Sequence, residues 1–99
     1  VKHKRKPIVA GVVSRWLRAA GYAAWNPHMD QDGYLTSHAA NGDVHVVFAT
    51  VADRPTGLPT EGELVMLARY AATLATKGCD ATMCVWQNSA ALYVRRSEP

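Results

Sequence analysis

The sequence predicts a single α/β (α+β) domain of order α-β-β-β-α-β-β, a mixed, twisted sheet flanked by two helices. Three observations predict it. Two stretches carry apolar residues at helical spacing, and each stops at a glycine, Gly21 and Gly78. The remaining chain is rich in β-branched and aromatic residues and is divided by Asp32-Gly33, Asn41-Gly42 and Asn88-Ser89. The 99 residues are 48% hydrophobic and 19% charged, enough for one core and too apolar for wholesale disorder.

Residues 1–7 (VKHKRKP) read as a flexible basic arm, 8–96 as the domain and 97–99 as a tail. Pro7 suits the first turn of a helix, where its missing N–H has no partner. Ile8, Val9, Val12, Val13, Trp16, Leu17 and Ala20 then form the stripe of a helix over about 8–20, weakened by Gly11. Residues 22–26 read as a first strand and 33–37 as a second. Residues 43–51 (DVHVVFATV) form the clearest strand, with a tail apolar on both faces that predicts a central, doubly covered position. Residues 52–59 form a loop with two prolines. Thr60 and Glu63 make a capping box for a helix over 61–77, whose stripe is Leu64, Leu67, Ala68, Ala71, Leu74 and Ala75. Residues 81–87 and 91–96 are two strands around a turn at Asn88-Ser89. The second helix has the length of a parallel crossover. The order also admits a reading as two α-β-β units, with few residues shared between them.

Composition narrows the function. The longest apolar run, Ile8–Val13, falls far short of the roughly 20 residues of a membrane span. No signal peptide pattern is visible, so the expected location is cytoplasmic with no membrane partner. The two cysteines, Cys79 and Cys84, are too few for a disulfide scaffold, and Cys84 reads as a small buried hydrophobe. Charge is the most informative feature. Lys2, Lys4, Arg5, Lys6, Arg15 and Arg18 all precede the first acidic residue, Asp30, while the rest of the chain is net acidic. A basic head on a slightly acidic body suits a polyanion at one end. These six residues are the candidate phosphate contacts on DNA or RNA, with Arg95 and Arg96 extending the patch if the last strand lies near the first helix.

Other constellations are weaker. Asp30, Asp32, Asp43 and His45 fall close together in sequence and could take a divalent metal, but their spacing follows no established ligand template. Turn-forming aspartates and surface histidines are the plainer reading. Cys79 follows a helix C-terminus, where the dipole opposes a thiolate, so a catalytic cysteine is not expected. Trp25, Tyr34, Trp86 and Tyr93 alternate on strands, where core packing competes with a base-stacking role.

The order and lengths of elements over residues 8–96 are similar to the core of the restriction-endonuclease-like nucleases, small Holliday junction resolvases in particular. That resemblance implies a first acid at Asp32 or Asp43 and, one strand later, an acid-x-Lys motif holding metal against phosphate. The corresponding strand reads Val47-Phe48-Ala49-Thr50-Val51, and no acid-x-Lys occurs anywhere in the chain. The sequence therefore predicts a small non-catalytic nucleic-acid-binding or accessory protein, the style of a bacterial or phage protein. The alternatives are a protein–protein interaction module or inhibitor, including a homodimer, and a metal-dependent nuclease with an atypical site.

Overall fold

The computed structural model describes residues 8–51 and 60–97. The expectations for the arm 1–7, Pro7, the loop 52–59 and the last two residues lie outside that range. The elements are α1 (Ala10–Ala19), β1 (Gly33–His38), β2 (Val44–Ala49), α2 (Glu61–Ala75), β3 (Cys79–Trp86) and β4 (Ser89–Arg96). Short 3-10 turns at Pro27–Met29 and Ala40–Gly42 flank β1. This is the expected single α/β domain.

The four strands run in the order β1-β2-β4-β3, and every pairing is antiparallel. The expected parallel crossover is therefore split. The helix α2 does link two strands of the same direction, β2 and β3, but β4 lies between them. Strand composition explains the insertion. On its helix-facing side β4 carries Leu92 and Val94, 1% and 0% exposed, whereas the same side of β3 carries Ala81, Met83 and Val85, the last two 48% and 80% exposed, and tolerates the edge. The β3–β4 turn is Gln87-Asn88, one residue earlier than expected, with φ of 50° and 61° at its two residues.

Both helices pack on one face. Val13 and Leu17 of α1 and Leu67, Tyr70 and Leu74 of α2 join Tyr34, Val44, Val46, Leu92 and Val94 in one core cluster. The Tyr70 ring meets Tyr22 and Tyr34 edge-on at centroid distances of 5.1 and 6.3 Å. Burial pushes the Tyr70 phenol well above its ordinary pKa, and Tyr22 and Tyr34 add to the rise. Ser14 and Thr36 share a 2.8 Å hydroxyl hydrogen bond that ties α1 to β1. The capping box forms as read: the Glu63 N–H donates to Thr60 Oγ1 at 3.2 Å and the Thr60 N–H to Glu63 Oε1 at 3.4 Å. The second helix ends at Ala75, with Gly78 at φ 77° turning the chain into β3.

The expected mixed sheet is antiparallel at every strand pairing, and three further expectations change. Residues 22–26 are not a strand; they touch β1 and its approach through isolated bridges, Ala24 with Tyr34 and Asn26 with Gln31, before Pro27 turns the chain away. The second strand, β2, is central but has helices on one face only, so its apolar tail owes nothing to a second covering layer. Cys84 is half-buried and on the open face, and Cys79 is the buried cysteine.

Gly33 allows the 22–26 segment to press against β1. A Cβ there would stand 2.6 and 2.7 Å from the carbonyl carbons of Ala24 and Ala23. Gly33→Ala is expected to lower stability by about 1–3 kcal/mol, the usual range for overpacking against backbone; a urea midpoint equal to wild type would contradict this close approach.

Candidate functional site

Strand alternation sends two sets of side chains to opposite faces of the sheet. The open face, away from the helices, carries Leu35, Ser37, His45, Val47, Thr82, Cys84, Trp86, Ala91, Tyr93 and Arg95. Its middle is an aromatic cluster. His45 of β2 lies directly across from Tyr93 of β4, with ring centroids 5.4 Å apart in an edge arrangement. The Trp86 ring stacks on His45 at 4.8 Å and 16°. To reach it the indole crosses β4 diagonally, and Ala91, the β4 residue in its path, has no solvent exposure. His45 Nδ1 is buried without a hydrogen-bond partner among the described residues.

Tyr93 fixes this cluster to the end of the sheet. Its hydroxyl donates to Asp43 Oδ2 at 2.6 Å and lies 3.4 Å from the Ala40 carbonyl. Asp43 is only 4% exposed, so it serves as an anchor for Tyr93. The Ile8 N–H donates to the Gly42 carbonyl at 2.8 Å at the same end. The cations Lys2, Lys4, Arg5 and Lys6 thus precede, through Pro7, a residue whose backbone is tied to Gly42, next to Asp43, and whose side chain enters the core on the helix side.

The sequence candidates separate accordingly. Arg15 and Arg18 are exposed on α1, behind the sheet. Arg95 is on the open face, in a loose 3.9 Å ion pair with Asp80 whose partners are both about half exposed. Arg96 points to the helix side opposite Cys79, and its Nε has no hydrogen-bond partner among the described residues. These four do not form one patch. The metal candidates also disperse. Asp30 caps the first 3-10 turn at φ 54°, Asp32 Oδ1 accepts the Val51 N–H at 2.7 Å, and Asp43 holds Tyr93. Among the described residues no three His, Cys, Asp or Glu side chains gather as a group that could hold a metal ion. No helix among them is long and apolar enough to cross a membrane.

Of the alternating aromatics, Trp86 and Tyr93 reach the open face, while Tyr34 enters the core at 3% exposure. His45 was legible only as a metal candidate. The signal for its real neighbours is the tight β3–β4 turn, which sets the register of Trp86 and Tyr93 on one face.

Burial raises the Cys79 thiol above its ordinary pKa, partly offset by Arg96 and reinforced by Asp80; burial alone raises Cys84. At pH 8 both should alkylate with iodoacetamide more slowly than a free cysteine peptide, Cys79 the more slowly, and unfolding should abolish the difference. A folded-state rate above the peptide's would instead indicate an activated thiol. Tyr93→Phe leaves the buried Asp43 carboxylate short of one donor, and a loss of about 1–3 kcal/mol is expected in urea denaturation. An unchanged midpoint would show that this hydrogen bond anchors nothing. No family model matches the chain, and no curated protein and no solved structure matches it either.

Proposed function

We propose that the chain is a non-catalytic nucleic-acid-binding protein that takes single-stranded DNA or RNA on the open face of its sheet. The supporting observation is the Trp86–His45–Tyr93 cluster on that face, whose anchor Asp43 directly follows the Gly42 carbonyl that accepts the Ile8 N–H. A four-stranded sheet backed by helices holds aromatic rings rigidly, and unpaired bases stack on such rings with little regard to sequence. Phosphates would be met by Lys2, Lys4, Arg5 and Lys6, with Arg95 on the face itself. Arg15 and Arg18, behind the sheet, fall outside this path. The dispersal of Asp30, Asp32, Asp43 and His45 gives no support to a hydrolytic reading.

The test is fluorescence anisotropy with labelled single-stranded and duplex probes over a salt series. The full chain should prefer the single strand. Trp86→Ala should weaken that binding about tenfold, since stacking is worth about 1–3 kcal/mol per base. Reversing the four arm cations to Glu should reduce the slope of log affinity against log salt by about 3, at roughly 0.7 per phosphate contact on a single strand. The Arg15→Glu, Arg18→Glu double variant should bind the single strand as the wild type does. Failure to bind at low salt, or equal binding by Trp86→Ala, overturns the reading.

A further inference from the structure

The two outer edges of the sheet are treated differently. The edge of β1 is partly occupied: the Tyr34 N–H donates to Ala23 at 3.1 Å, and the Trp25 N–H donates to Tyr34 at 3.0 Å. The edge of β3 has no neighbouring strand among the described residues. Nor does β3 carry the usual guards of an exposed edge. It contains no Lys and no Pro, its only charge is Asp80 near one end, and its register with β4 runs unbroken from Cys79–Arg96 to Trp86–Ser89 without a bulge. It also exposes apolar side chains. Val85 is 80% exposed, the highest among the described large hydrophobic residues, and Met83 is 48% exposed.

We propose that β3 pairs with β3 of a second copy, antiparallel about a two-fold axis at Cys84, to give a homodimer with a continuous eight-stranded sheet. The occupant follows from register. A two-residue turn closes on Trp86 and Ser89, so the backbone groups of residues 80, 82, 84 and 86 point toward β4. Those of Cys79, Ala81, Met83 and Val85 point outward. With the axis at Cys84, Val85 exchanges hydrogen bonds with the partner's Met83, and Met83 with the partner's Val85. Each copy's two exposed apolar side chains on this edge thus cover the other's. On the open face Trp86 meets the partner's Thr82. Asp80 falls opposite the partner's Asn88, beyond the central pairs, so no like charges meet along the seam.

The chosen axis places Cys84 opposite the partner's Cys84 as a non-hydrogen-bonded pair, with Cα atoms about 4.5 Å apart. That separation is within reach of a disulfide. The experiment is sedimentation of the full chain without nucleic acid at about 10 and 100 µM, a working range for weak-to-moderate dimers. The expected mass at the higher concentration is twice that of the 10.8 kDa chain. Val85→Lys should be monomeric with an unchanged circular dichroism spectrum, and should melt as the wild type does at dilutions where the wild type is itself monomeric, since that side chain is largely in solvent. Oxidation by copper–phenanthroline should cross-link the wild type and leave Cys84→Ser uncross-linked. A monomer at both concentrations, or a dimer that survives Val85→Lys, overturns the proposal. A Val85-dependent dimer that does not cross-link through Cys84 overturns the proposed register. Because no nucleic acid is present, either outcome is independent of the binding assay.

Discussion

Three cross-strand pairs, Val44 with Val94, His45 with Tyr93 and Val46 with Leu92, join β2 to β4 and hold the two halves of the molecule together. Each half is a helix followed by a hairpin, α1-β1-β2 and α2-β3-β4, and neither has a sheet wide enough to cover its helix alone. The seam supplies both faces at once. Beneath the helices, Val44, Val46, Leu92 and Val94 are at most 1% exposed, forming the floor on which Leu17, Leu67, Tyr70 and Leu74 rest. On the other side the remaining pair, His45 and Tyr93, is the center of the aromatic cluster. The packing that stabilises the fold is therefore the same packing that positions the candidate site.

That coupling explains the open face. An antiparallel sheet with one solvated side normally alternates apolar and polar residues. Here the solvated side carries Leu35, Val47, Cys84, Trp86, Ala91 and Tyr93, and the polar groups sit mainly around its margin. Tyr93 is tied down by Asp43, and the Trp86 ring stacks on His45. Rings held in this way lose little conformational freedom on meeting a flat ligand, which favours stacking over nonspecific adhesion. The face itself carries little net positive charge, since Arg95 is partly balanced by Asp80.

Much of the fold was legible because the helices announce themselves by period and by end signals. The stripe through Val13 and Leu17, the capping box at Thr60 and Glu63, and the stop at Gly78 all act locally. Residues 22–26 misled because their aromatic content suits a strand, while strand formation needs a partner over several residues and here finds only isolated bridges. Strand order was harder still. It depends on which hairpin arm fills the inner face better, and Leu92 and Val94 of β4 outcompete Met83 and Ala81, which stand opposite them on β3. The site was half legible. Trp86 and Tyr93 were visible as alternating aromatics, but their meeting with His45 depends on the seam register, which no local signal encodes. Arg15 and Arg95 looked combinable in sequence and are separated by the thickness of the sheet.

The topological equivalence of the two halves also accounts for the unequal edges. In each hairpin the first strand lies outside, so β1 and β3 occupy corresponding positions. Between α1 and β1 the chain has residues 20–32, long enough to lay residues 23–26 along the β1 edge before turning back. Between α2 and β3 it has only residues 76–78, which reverse direction through Gly78 and enter the strand at once. No local chain is left over to shield β3, and its sequence supplies neither proline nor lysine as a substitute. Satisfying that row of outward backbone groups by protein requires something beyond the second half's own connection, and β3 itself offers a complementary strand through Met83, Cys84 and Val85.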